Sequence, residues 1–150
     1  MPAFIVIGRI LFAILFIVSG ANKLLDIPAT TAQVSKRVTI PTAISDSDYA
    51  KQVVDATGKS TNEMLAILVG VTELLCGFMI ALNFASTFFA LLLAFAIVII
   101  TFYFHDFWNQ TGAEAKDNMI QAMKNLSLVG ALFVIAGVGG RKRAAQYQDV

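Results

Sequence analysis

The chain has 150 residues, 57% of them hydrophobic and 14% charged, with a formal net charge of +1 and a mean hydropathy of +0.74. That composition excludes an ordinary soluble domain and reads as an integral membrane protein. A charge so close to zero gives nothing to recruit nucleic acid, and the single cysteine, Cys76, removes any internal disulfide or C-x-x-C redox pair.

Four stretches meet or approach the ~20 apolar residues that a helical span requires. The first runs from Ala3 to Leu25. It is longer than the apolar part of a signal peptide, carries Arg9 inside it and lacks a small-x-small cleavage site, so it reads as a retained helix. The only long hydrophilic connection follows, Asp26 to Glu63. Its first half, IPATTAQVSKR, has Pro28 where a proline opens a helix and predicts a short helix at the membrane surface, ended by Pro41. Its second half, SDSDYAKQVVDATGKS, starts with the capping residues Ser45 and Ser47 and puts Tyr49, Val53 and Val54 on one face before Gly58. This predicts a second amphipathic helix in an insertion over about residues 42–62.

The second and third spans, Met64 to Leu82 and Phe84 to Phe104, are joined by little more than Asn83, which predicts a tight antiparallel hairpin. The loop that follows begins FHDFWN and holds the chain's only histidine and only tryptophan. The fourth span is expected from Met119 to Val138, just before Arg141, Lys142 and Arg143. Continuous Leu, Ile, Phe and Ala runs without alternation favour helices over a barrel. The expected fold class is therefore all-α, a four-helix integral membrane bundle forming one domain over residues 1–150, with short amphipathic surface helices in its first loop. Four spans put both termini on one side. The positive-inside rule applied to residues 141–143 places that side in the cytoplasm, although the opposite loop carries Lys36, Arg37, Lys51 and Lys59.

Ionisable groups within spans are costly and therefore mark candidate sites. Arg9, Glu73 and Lys124 are such groups, with Glu73 lying between the two cations in depth and able to pair with either. At ~100° per residue, Arg9, Phe16, Gly20 and Lys23 form one stripe on the first helix and Gly70, Glu73 and Gly77 one on the second. The third carries Thr87, Ala90, Ala94, Thr101 and His105, and the fourth Asp117, Gln121, Lys124 and Leu128. Turned inward, these stripes predict a polar interior with a mouth on the loop side, where Asn22, Lys23, His105, Asp106, Asn109, Lys124 and Asn125 gather. Two readings stay open: an Arg9–Glu73 ion pair that only fixes helix register, and a proton or small-molecule site with Glu73 at its floor. Trp108 and the phenylalanines suit an interfacial aromatic belt. Metal is not expected. One histidine excludes bis-histidine haem ligation, a His105 and Met119 or Met123 pair is better read as packing methionines, and the donors for zinc or copper are missing.

Several of these stretches together resemble the DoxX family of small four-helix membrane proteins. GRILFAILFIVSGANKLLD is similar to the family's first helix, TAQVSKRVTIP to its post-helix segment, VTELLCGFMIALN to its second helix, and FHDFWN with KNLSLVGAL to its third and fourth. The segment from Thr42 to Asn62 departs from the family's short connection. The resemblance implies the fold and an association with membrane redox systems, including a thiosulfate:quinone oxidoreductase type of complex. Two functions follow as expectations. One is a non-catalytic accessory subunit of a redox-associated complex in the inner membrane, contacting lipid and other membrane subunits through the insertion and the Phe-rich surfaces of the third and fourth helices. The other is a quinone-linked component or small-molecule binding protein, with no intrinsic cofactor but room for a quinone. Glu73 would then handle protons, His105 and Asp106 would relay them at the mouth, and Lys23 and Lys124 would hold an anionic or carbonyl group. A transporter is a distant third, because broken half-helices are missing.

Overall fold

A computed structural model describes residues 3–148, with the side chains of Thr42, Ile44 and residues 140–148 outside the description. The basic run at 141–143, on which the orientation rests, therefore falls outside the described side chains. Among the described residues the structure is helical with no strand. Four helices are long and apolar enough to cross a membrane: α1 (Ala3–Leu25), α5 (Thr61–Ala81), α6 (Ser86–Phe104) and α7 (Gly112–Gln148). Between α1 and α5 lie α2 (Ile27–Arg37), the single turn α3 (Thr42–Ser45) and α4 (Asp48–Thr57). The chain is an all-α membrane protein.

Local chemistry sets most boundaries. Asp26 stops α1 and caps α2, its carboxylate accepting from the Ala29 amide at 3.0 Å with Pro28 in the first turn. Ser47 caps α4, and Gly58 closes it in the left-handed region (φ 66°) that a helix C-cap favours. Ser60 and Glu63 form the S-x-x-E signature that starts α5 at Thr61, three residues before the apolar run begins. The α5–α6 connection turns through Asn83 and Ala85, both left-handed (φ 58° and 43°), so α6 begins at Ser86 rather than Phe84. The fourth helix exceeds its expected bounds at both ends, because the polar turn from Glu114 to Asn118 is helical outside the apolar span.

The spans pack as two close pairs, α1 on α5 and α6 on α7, joined through α5 and α6. Between α6 and α7, Thr87 Oγ1 donates to the Ala136 carbonyl (3.0 Å) and Asn125 Nδ2 to Thr101 Oγ1 (2.9 Å). A shared core of Ala13, Phe16, Cys76, Ile80, Leu93, Ile97 and Leu132 holds the four together. α2 folds back against α5 through buried Thr30 and Val34. α4 contributes no buried residue and stands off the bundle. α1 and α7 face each other across a seam that their neighbours leave partly open.

Candidate functional site

The site begins with glycine. A Cβ on Gly20 would stand 2.6 Å from the Gly70 carbonyl oxygen and 2.6 Å from the Leu74 nitrogen, and one on Gly77 2.9 Å from Ile17 Cγ1. These positions let α1 and α5 touch backbone to backbone, as small residues do between membrane helices. The contact fixes the register: Gly20 lies level with Gly70 and Leu74, and Ile17 with Gly77. Glu73 is thereby placed beside Ser19 and just below Lys23.

Lys23 Nζ donates to Glu73 Oε2 at 2.7 Å and to Ser19 Oγ at 2.6 Å. The Glu73 side chain is only 8% exposed and that of Lys23 30%, so the buried carboxylate meets its counter-charge from the mouth side. This corrects the expected pairing of Glu73 with Arg9 or Lys124. Arg9 lies about ten residues, or ~15 Å, farther along α1 than Ser19, beyond the reach of any side chain. It stands level with the α5–α6 turn, near the opposite membrane surface.

Two cavities open along the α1–α7 seam. The loop-side cavity, about 530 Å³, has Ser19 and Glu73 on one wall and Gln121, Lys124 and Asn125 on the other, with Phe16 and Ile97 among its apolar lining. The terminal-side cavity, about 360 Å³, is lined by Arg9, Asn83 and apolar groups of α1 and α7. The core level of Phe16 and Leu132 separates them. A surface cleft between α1 and α2 includes Lys23, Asn22 and Gln33, and Ser19 lines both this cleft and the loop-side cavity. The Lys23–Glu73 pair thus stands between the membrane-embedded cavity and the loop-side surface.

The polar stripe of α7 needs a second correction. Among its described side chains, the buried residues of this helix are Ala122, Val129, Leu132 and Ala136. Gln121, Lys124 and Leu128 are rotated about 90° from that core face, toward the seam. Gln121 and Lys124 line a cavity wall rather than the packed interior, while Leu128 both lines the cavity and packs against the core.

His105 and Asp106 belong to a different cluster. His105 Nδ1 pairs with Asn118 Oδ1 at 3.1 Å, Asn118 Nδ2 donates to Gln110 Oε1 at 2.7 Å, and Gln110 Nε2 donates to Asp106 Oδ1 at 2.8 Å. Arg37 closes the chain, 3.6 Å from both Asp106 and Glu114. This outer network ties the last turn of α2 to the α6–α7 loop. The single expected mouth therefore divides into an inner group, Ser19, Lys23, Glu73, Gln121, Lys124 and Asn125, and an outer latch containing His105, Asp106 and Arg37. Arg37, Gln110, Glu114 and Asn118 were not singled out by the sequence as site residues. Only Arg37 sat within a stretch quoted from the sequence, and the loop geometry that brings in the others is not written in any spacing.

Met119 and Met123 are exposed on α7, so they are not the packing residues expected, and His105 is instead held by Asn118. Among the described residues, no three His, Cys, Asp or Glu side chains gather to hold a metal ion.

The DoxX family pattern matches residues 4–106, which is more than half of the chain. The chain belongs to the DoxX family. The matched stretch holds α1 to α6 with Arg9, Lys23, Glu73, His105 and Asp106, and it ends before α7 and Lys124. Inner membrane protein YphA of Escherichia coli (strain K12) is 25% identical over 138 residues, covering 92% of this chain and 84% of that protein. No solved structure matches the chain.

Proposed function

We propose that this DoxX protein is a membrane-embedded binding protein for a lipid-soluble carbonyl compound of the quinone class, serving a redox-associated membrane complex. One observation carries the reading: Glu73, buried and held by Lys23, faces a cavity of about 530 Å³ whose opposite wall carries Lys124, Gln121 and Asn125. Polar groups converging inside an otherwise apolar pocket are the usual architecture of a small-molecule site. Lys124, Gln121 and Asn125 supply N–H donors for a carbonyl oxygen, and the apolar lining suits a ring and tail. When bound, a quinone would supply two-electron redox chemistry. Glu73 and Lys23 hold a proton acceptor and a donor 2.7 Å apart, within reach of the surface cleft. The E. coli relative, an inner membrane protein, supports placement in the inner membrane.

Binding of a short-chain ubiquinone analogue to the detergent-purified protein, followed by equilibrium dialysis, tests this reading. Lys124→Met is expected to weaken binding about tenfold, the value of one charge-assisted hydrogen bond. Glu73→Gln should weaken it too, whereas His105→Ala, in the outer latch, should leave it unchanged. Undiminished binding by Lys124→Met and Glu73→Gln, or no binding by the wild type, would reject the proposal.

A second reading, an accessory subunit without a ligand, draws on α4. Tyr49 is 82% exposed and Val53 44%, and no residue of the helix is buried, so an apolar face is offered to something outside the bundle. Co-migration with a larger complex on native gels, lost when Tyr49 and Val53 become serine, is its expected signature. Migration as a lone chain from native membranes would count against it.

A further inference from the structure

The terminal-side cavity is a separate feature, about 360 Å³ in volume and lined by Gly8, Arg9, Phe12, Asn83, Val134 and Val138 among others. From the geometry we infer that it is a binding site for an anionic glycerophospholipid, with the phosphate on Arg9 and one acyl chain along the α1–α7 groove. This inference is independent of the quinone reading, because the two cavities share no lining residue.

Depth is the first reason. The α1–α5 register places Arg9 level with the turn that carries Asn83, where the spans α5 and α6 end. That is the level at which lipid phosphates begin, not the hydrocarbon centre. Chemistry is the second. A guanidinium presents five N–H donors in a planar fork that matches a phosphate bidentately. Asn83 adds an amide whose carbonyl accepts from Ser86 Oγ at 3.2 Å, leaving its N–H₂ group to donate. Basic pockets between membrane helices recognise anionic head groups in this way.

Shape is the third. Below the polar end the walls are Phe12, Val134, Ile135 and Val138, which offer an acyl chain the same environment as the bilayer. The groove is open at Gly8, where an added Cβ would meet nothing within 4 Å. A zwitterionic lipid could enter the same groove, but its choline would set a second cation beside Arg9. The charge therefore selects the anionic head group.

Native mass spectrometry of the full-length protein, incubated with equal amounts of phosphatidylglycerol and phosphatidylcholine of matched chains, tests the inference. The wild type should retain phosphatidylglycerol about fivefold over phosphatidylcholine, the effect of one basic residue near the surface. Arg9→Gln should lose the preference, Arg9→Lys should keep part of it, and Gly8→Leu, which fills open space, should reduce retention of both lipids. Equal retention of the two lipids by the wild type would overturn the inference, as would an unaltered preference in Arg9→Gln. Should Arg9→Gln fail to fold, Gly8→Leu decides alone: full phosphatidylglycerol retention by that variant would overturn it.

Discussion

The two cavities share the same two helices as walls, yet their chemistry is opposite. On the loop side, α1 and α5 touch through Gly20 and Gly70, and the acid buried there comes with its own cation, Lys23. On the terminal side, α1 is open at Gly8 and brings one guanidinium at the level of the helix ends. The difference follows from depth. A carboxylate inside the bilayer must be answered by the protein, since nothing else there carries charge. A cation at the membrane boundary has water and lipid head groups within reach as well.

Paired glycine substitutions would break the comparison most strongly. Gly20→Ala forces a methyl group onto backbone atoms of α5 that cannot yield, and should cost about 3 kcal/mol, the upper end for an overpacked contact. Gly8→Ala has open space and should add about 0.5 kcal/mol through helix propensity. Unfolding in graded SDS would measure both, and equal effects would mean that the close approach of α1 and α5 is not what builds the loop-side site.

Smaller effects sharpen the same contrast. Lys23→Met leaves Glu73 buried without its cation and should cost about 2 kcal/mol, below the usual range for a fully buried pair because Lys23 is partly exposed. Glu73→Gln, which keeps a hydrogen-bonding partner for Lys23, should cost less than Lys23→Met in the same titration. The reverse order would show that Lys23 is not what stabilises the acid. Least of all, Arg37→Gln should change stability by at most about 1 kcal/mol, since its two ion pairs are long at 3.6 Å and partly solvated. Its visible consequence should be faster amide hydrogen exchange in α2 and the α6–α7 loop, with none in α5.

What the sequence made legible was whatever depends on one helix at a time. The all-α membrane class followed from apolar runs long enough to span a bilayer, and α1 was read from Ala3 to Leu25 because an unbroken run ends at Asp26 and Pro28. The Ser60 and Glu63 signature was also present, but it lay before the apolar run and was outweighed by hydropathy. Relations between helices were less accessible. Which cation meets Glu73 depends on register, and register came from three glycines whose spacing on each helix does not say how far one helix slides along the other. The face of Lys124 was found but assigned to the interior, because angles along one helix cannot say which neighbour is missing. His105 and Lys23 share a side of the membrane, and side alone could not show that Gln110 and Asn118 draw the histidine into the α6–α7 loop.

The length of α7 has a mechanical meaning. Its 37 residues make an unbroken rod of about 55 Å, against a hydrocarbon thickness of about 30 Å. Gln121 and Lys124 stand on one side of its core residue Leu132, and Val134 and Val138 on the other. The rod is pinned to α6 on both sides of Leu132, by Asn125 on Thr101 and by Thr87 on the Ala136 carbonyl. One continuous helix is therefore the common wall of both chambers.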